Sequence, residues 1–311
     1  MTLLDECGIM LEPQLGMEMS DLVASARLAE QLGFGFLFRS DHLLPTDDRR
    51  GIASPECWTS LGAIAASTGR LKFGPMVSPV GFRNPALLAK MACTLHSFSS
   101  GRLQLAVGAG WYEAEYMAFG YPFPKFSQRL GEFTEALDIV ASLVREGRAD
   151  YDGKFFSAHT DCLPRPHGKM NVIVGAKAPS LVRLAGRLAD EWNAFVSPKE
   201  DMERMMKGFR SSSEGRAVKV SETSPYLIGR NASELDANAA LQARKLGSSS
   251  SPRETVARLK KRNAPCGTVD DFVAQVRSKR DLGITSMYFQ TLVPENTDMT
   301  VLLRDTLREK V

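Results

Sequence analysis

The apolar run FGFLF at residues 34–38 stops at four polar residues, Arg39, Ser40, Asp41 and His42. Ionisable groups buried at such a place are costly unless they are paired or put to use. A carboxylate beside an imidazole can hold and pass a proton near neutral pH, and His42 is one of four histidines in the chain. The other three do not join it. His96 falls in a helical stretch, and His159 and His167 lie in a loop-rich segment without the ligand spacing of a zinc hydrolase. The nucleophile motif G-x-S-x-G is absent, and no strand end offers an obvious Schiff-base lysine.

Two glycine-rich turns extend the list. VGAGW at residues 107–111 carries G-x-G without a third glycine in register, so it is a weak dinucleotide signal. Its plainer meaning is a backbone that must come close to a flat ligand or a neighbouring strand. GAKAPS at residues 175–180 precedes an amphipathic helix. It reads either as an ordinary strand-to-helix turn or as a phosphate site made of free N–H groups and Lys177. Few acid–base groups, much glycine and a phosphate-competent turn suit a cofactor that carries the chemistry while the protein positions it.

These residues need a frame that gathers them. One unit recurs along the chain: an amphipathic helix, a glycine near its end, and a short apolar strand. DLVASARLAEQ (21–31) runs through Leu32–Gly33 into FGFLF, and DDFVAQVRSKR (270–280) runs through Leu282–Gly283 into ITSMYFQ. Strands are expected at Cys7–Glu12, Phe34–Phe38, Leu71–Pro79, Leu103–Gly110, Asn171–Ala176, Trp192–Val196, Pro225–Gly229 and Ile284–Gln290. Eight strand–helix repeats in 311 residues favour one α/β domain over residues 1–311, a closed (β/α)8 barrel rather than an open doubly wound sheet. Insertions are expected at about 150–168, a small hairpin and loop, and at about 235–265, a helical segment broken by the polar stretch LGSSSSPR. In a barrel the C-terminal strand ends form the functional face. That face would collect Glu12, Asp41, His42, Ser78, Pro79, Gly108, Gly110, Trp111, Gly175, Ala176, Lys177, Trp192, Asn193 and Gln290.

Composition narrows the classes. Apolar residues make up 43% and charged residues 24%, with 39 basic against 36 acidic side chains, a net charge of +3. This is a globular balance with no nucleic-acid footprint. Five scattered cysteines, at 7, 57, 93, 162 and 266, read as reduced thiols rather than a disulfide framework or a metal site. No apolar run approaches the ~18 residues of a membrane span. Asp5 and Glu6 near the start also speak against a signal peptide, so a cytoplasmic location is expected.

In order along the chain, EPQLGM, LGFGFLFRSDHLLP, FGPMVSPVGFRNPALLAK, SSGRLQLAVGAGWYEAEYMAFGYPFP, VIVGAKAP, RLADEWN and LGITSMYFQ resemble the luciferase-like monooxygenase superfamily, and within it the F420-dependent oxidoreductase branch. The resemblance implies a (β/α)8 barrel with an inserted segment. It also implies a flavin or deazaflavin at the C-terminal mouth and a homodimer, to which the alanine-rich LGAIAAST would contribute a close-packed helix. By that likeness Asp41 and His42 border the ring, with His42 handling a proton. Ser78–Pro79 falls where members carry a bulge with a cis peptide behind the ring. Gly108, Gly110 and Trp111 flank the ring, and Gly175, Ala176 and Lys177 hold the phosphate or tail. Glu12, Trp192, Asn193 and Gln290 line the substrate side, with the Thr46–Ser54 loop and the hairpin as outer wall. Arg39 is expected as a structural ion-pair partner. The implied cofactor is F420, with FMN as the alternative, and the implied partners are a small-molecule substrate and a separate F420 or flavin reductase. The activities in view are F420-dependent hydride transfer, an FMNH2-dependent monooxygenase, or a non-catalytic flavin-binding barrel. The sugar-phosphate branch has an acidic residue where Trp111 stands, which argues against a sugar phosphate as substrate. Glu113 and Glu115 are expected to serve as first-turn acids of the following helix.

Overall fold

The computed structural model describes residues 3–46 and 51–311; residues 47–50 of the Thr46–Ser54 loop lie outside the described residues. The strands are β1 (Cys7–Leu11), β2 (Phe36–Arg39), β3 (Lys72–Pro75), β4 (Ser78–Pro79), β5 (Leu105–Gly108), β6 (Arg148–Asp152), β7 (Ser157–Asp161), β8 (Val172–Gly175), β9 (Glu191–Phe195), β10 (Lys219–Pro225), β11 (Leu227–Gly229), β12 (Cys266–Thr268) and β13 (Ser286–Thr291). The helices are α1 (Leu3–Glu6), α2 (Met19–Leu32), α3 (Cys57–Ser67), α4 (Pro85–Phe98), α5 (Glu113–Ala118), α6 (Phe126–Arg145), α7 (Pro179–Leu188), α8 (Lys199–Ser212), α9 (Ala232–Lys245), α10 (Pro252–Lys261), α11 (Val269–Asp281) and α12 (Thr297–Glu309). Nine strands form one parallel sheet in the order β3-β2-β1-β13-β10-β9-β8-β5-β4, and a parallel bridge between Phe73 and Leu103 links its two ends. Since β4 continues β3 beyond a bend, the expected (β/α)8 barrel has its eight staves.

Helix starts follow their sequence signals. Asn84 accepts from the N–H groups of Ala86 and Leu87 ahead of Pro85, a cap that contributes about 1 kcal/mol to α4. Ser251 and Glu254 form a reciprocal capping box on α10. The hairpin of the first insertion is β6 paired antiparallel with β7.

Side chains alternate across each stave. Outward residues such as Ile9, Leu37, Val172, Trp192 and Phe289 join the helix layer in one large core. Inward residues divide by chemistry. Met10, Phe36, Phe38, Met76, Ala106, Ile173 and Tyr288 make a separate apolar cluster inside the barrel. The interior of β9 and β10 is polar: Ser221 Oγ (2.6 Å) and Tyr288 OH (2.8 Å) donate to Glu191, Asn193 Nδ2 donates to Ser221 Oγ (2.9 Å), and Thr223 Oγ1 donates to Asn193 (3.2 Å). Burial pushes the Glu191 carboxyl up from its usual range, against the lowering effect of its hydrogen bonds.

That polar interior corrects one expected strand. The seventh stave is Lys219–Pro225, KVSETSP, and not Pro225–Gly229; Leu227–Gly229 pairs with Cys266–Thr268 in a separate two-stranded sheet. A strand whose interior contacts are hydrogen bonds has no apolar period to betray it.

Candidate functional site

Asp41 and His42 stand just past the C-terminal end of β2, as expected, but each has a partner that was not foreseen. His42 is mostly buried, and its Nδ1 lies 3.0 and 3.1 Å from the two carboxylate oxygens of Glu115 on α5. Glu115, 1% exposed, also accepts from the Leu43 N–H at 3.0 Å. It is therefore a buried clamp rather than a solvent-facing first-turn acid. Burial works to lower the His42 pKa, but the Glu115 hydrogen bond and charge, with Glu12 and Asp41 adding, raise it above the ordinary histidine value. Among the described residues only Nδ1 of the ring has hydrogen-bond partners. Trp111 and Tyr112 stand edge-on to the imidazole at 5.7 and 6.2 Å, and Trp111 is 65% exposed.

Asp41 is buried and fully engaged. Arg83 donates to it from both terminal nitrogens, at 2.7 and 3.2 Å, and Ser78 Oγ donates at 2.6 Å. Trp58 Nε1 in turn donates to Ser78 Oγ at 3.0 Å, and Arg83 reaches Glu56 at 2.6 Å. Coulomb attraction to Asp41 raises the Arg83 pKa although burial opposes it. The cation serving this face is thus Arg83. Arg39, expected as an ion-pair partner, instead bonds the Ser40 and Pro55 carbonyls and Ser60 Oγ, and no carboxylate among the described residues is bonded to it.

A second polar chain ties three strand ends together. Ser40 Oγ donates to Gln14 (2.6 Å), Gln14 Nε2 to Glu12 (2.5 Å), and Gln290 Nε2 to the other Glu12 oxygen. Glu12 and Gln290 therefore meet. Asn193 faces the barrel interior, spent on Ser221 and Thr223. Trp192 does not reach the pocket: one residue before Asn193, it faces outward, tilts against Phe209 of α8 at 5.0 Å and donates to the Ala176 carbonyl.

The glycines have local reasons. A Cβ on Gly108 would sit 2.4 Å from Val77 Cγ2, and one on Gly175 would sit 2.6 Å from Val77 Cγ1. Both make room for Val77, whose methyl groups lie over β5 and β8. Gly110 has φ +73°, and a Cβ there would lie 2.1 Å from the Tyr116 hydroxyl. The cis peptide expected near this place is Met76–Val77; the Ser78–Pro79 bond is trans, so the idea that Ser78–Pro79 supplies the cis bend is wrong. Pro79 instead pairs in register with Gly108. Past β8, the N-terminus of α7 has no side-chain cap, and Lys177 beside it is exposed.

Sequence reasoning missed Glu115, Arg83, Trp58 and Glu56 as partners. The signal was present for Arg83, a lone cation four residues past Pro79. For Glu115 the signal was ambiguous, because acids open many helices for reasons unrelated to a site.

Val77, half-buried and backed by the interior residues Met76, Ala106 and Ile173, presents the apolar face that suits a flat ring. The uncapped N–H groups of α7 with Lys177 fit a phosphate.

Known proteins agree with this frame. The chain is 38% identical over 172 residues to an F420-dependent glucose-6-phosphate dehydrogenase of Beutenbergia cavernae, covering 55% of this chain and 51% of that protein. It is 32% identical over 180 residues to an F420-dependent hydroxymycolic acid dehydrogenase of Mycobacterium tuberculosis, covering 56% and 48%. The chain thus spans about half the length of these curated relatives. In fold it resembles an F420-dependent secondary alcohol dehydrogenase, with a TM-score of 0.79 at 17% identity over 98% of this chain and 99% of that one. The family model of luciferase-like monooxygenases matches residues 6–286, and the chain belongs to that family.

Proposed function

We propose that the protein is an F420-dependent oxidoreductase acting on a small organic substrate, with His42 as the proton-handling residue. The observation that carries this reading is the clamp on His42: Glu115 holds Nδ1, so Nε2 is presented to the mouth in one fixed orientation. The dehydrogenase names of the curated relatives support F420 as the cofactor. When bound, F420 supplies or accepts a hydride.

The chain's own residues supply the rest. Val77, backed inside the barrel by Ala106 and Ile173, would seat the ring, and Ser78 and Asp41, locked by Arg83 and Trp58, would support its edge. Lys177 and the first turn of α7 would take the phosphate. His42 Nε2 gives or receives the proton of the substrate oxygen, and the raised pKa keeps the imidazole charged to higher pH than an ordinary histidine. Glu12 and Gln290 would meet the substrate's polar groups. Trp111, at the position of the sugar-phosphate branch's acid, makes glucose 6-phosphate a poor substrate. The homodimer implied by the family resemblance belongs to the same proposal, as does the residue range 1–311 as a single domain.

Titration of the purified protein with F420 and with FMN, followed by quenching of ligand fluorescence, tests the reading. Tight F420 binding with FMN ignored is expected. Preference for FMN would replace it by the monooxygenase alternative, and binding without turnover across a panel of alcohols and ketones would favour a non-catalytic barrel. Light scattering on the same sample, read against the 34.1 kDa protomer, tests the dimer.

A further inference from the structure

Trp111 is 65% exposed, whereas the other two tryptophans, Trp58 and Trp192, are 6% and 0% exposed and spend their indole N–H groups on Ser78 and on the Ala176 carbonyl. An indole carries a large apolar surface, and leaving it in water forgoes the free energy of burying it. This open indole stands beside His42. Trp111 and the half-buried Tyr112 lie 5.7 and 6.2 Å from the imidazole, both nearly perpendicular to it, and 5.3 Å from each other. The two rings make an aromatic corner against the proton-handling residue.

The backbone fixes that corner from both sides. Gly110 turns the chain with φ +73°, where a Cβ would strike the Tyr116 hydroxyl. Helix α5 starts two residues after Trp111, with Glu115 bonded to His42. Charge sorts ligands here as well. Glu115, Glu12 and Asp41 all act on the imidazole as negative charges. Asp41 is matched by Arg83 and Glu115 by His42 itself, whereas Glu12 is held by the amides of Gln14 and Gln290. That unmatched carboxylate opposes a further anion at this place.

We propose that the substrate is an uncharged aryl ketone or secondary aryl alcohol whose ring lies on Trp111 and against Tyr112, with its oxygen at His42. Its role as substrate rests on the F420 reading; the aromatic subsite does not. A flat ring laid on the indole leaves an oxygen one carbon away within reach of the imidazole, across the 5.7 Å that separates the two side chains. In the direction of reduction the carbonyl carbon gains the hydride, the oxygen takes the His42 proton, and reduced F420 is left oxidised. Oxidation of the alcohol runs the same steps backwards.

The probe is 1-phenylethanol, and Trp111 reports on it because the other two indoles are buried. In the cofactor-free whole chain, acrylamide should quench the tryptophan emission steeply. Added 1-phenylethanol should flatten that quenching at concentrations where 2-propanol does not. Affinity read by calorimetry should fall roughly tenfold in Trp111→Ala and recover in Trp111→Phe. Trp111 is mostly exposed, so both replacements leave the core intact. Mandelate, which puts a carboxylate beside the same oxygen, should bind roughly tenfold more weakly than 1-phenylethanol. With F420 present, kcat/KM for 1-phenylethanol should exceed that for 2-propanol, and Trp111→Ala should erase the preference. Shallow quenching in the free chain, no protection up to the solubility of 1-phenylethanol, unchanged affinity in Trp111→Ala, or mandelate binding as tightly as 1-phenylethanol would overturn the proposal. Binding that Trp111→Ala weakens, with no oxidation when F420 is supplied, would sink the F420 reading and leave the aromatic subsite standing.

Discussion

His42 and Glu115 lie 73 residues apart in sequence and meet through Nδ1 at 3.0 Å, the carboxylate 1% exposed and the imidazole mostly buried. The contact fixes the ring's orientation and biases its charge at once.

The bias has a direction that titration can read. His42 has a folded-state pKa above its unfolded value, so its stabilising contribution is complete below the ordinary histidine pKa and is lost as pH rises through the higher folded value. NMR titration of the His42 ring should give a midpoint above about 6.5, falling in Glu115→Gln. An unchanged midpoint in that variant would show that Glu115 does not set it. Under the proposed activity, His42→Asn should slow turnover by about 10²–10⁴-fold with F420 binding little altered.

Gly108→Ala places a methyl group against Val77 Cγ2, where only 2.4 Å is available. Overpacking of this kind costs about 1–3 kcal/mol. Val77→Ala removes the obstacle, so the double variant should be more stable than Gly108→Ala alone in urea denaturation. Additive losses would reject the contact as the cause.

Arg83→Met leaves the Asp41 carboxylate buried with Ser78 as its remaining partner. Removing one member of a buried pair costs about 3–5 kcal/mol. Its midpoint of chemical denaturation should fall accordingly, and cofactor affinity with it, because Ser78 and Asp41 share the ring's rim. A variant as stable as the parent would mean that water reaches Asp41.

Lys279 and Glu222 make a second buried pair at 2.7 Å, outside the barrel wall. Burial raises the Glu222 pKa even with Lys279 beside it. Lys279→Met should cost about 3–5 kcal/mol, and since the folded carboxyl then holds its proton more tightly, the variant should weaken further as pH rises from 4 toward neutrality, roughly across the glutamate range. Replacing both residues, Lys279→Met with Glu222→Leu, should recover most of the loss.

Legibility from sequence followed the kind of force involved. Staves packed by apolar side chains, such as Phe36–Arg39 and Val172–Gly175, announce themselves through hydropathy and flanking glycine. The Lys219–Pro225 stave, with Ser221 and Thr223 bonded inward, does not. Asp41 and His42 could be placed at the mouth because barrel topology collects strand ends, but their partners come from elsewhere, Arg83 from the turn before α4 and Glu115 from the short helix α5, and no local pattern encodes which strand end each one meets. Of the expected pair Trp192 and Asn193 only Asn193 turns inward, because adjacent residues on a strand face opposite sides.

The hydrogen-bonded half of the barrel has a consequence for assembly. An apolar stave can slide by a residue pair and still find greasy neighbours, whereas β10 fits like a toothed key. Shifting it by one residue would turn Glu222 inward, take Ser221 from Glu191 and Thr223 from Asn193, and separate Glu222 from Lys279. Ring closure is thereby indexed by this one strand, and random exchange of inward residues should be forgiven at Phe36 or Ile173 and punished at Ser221 or Thr223.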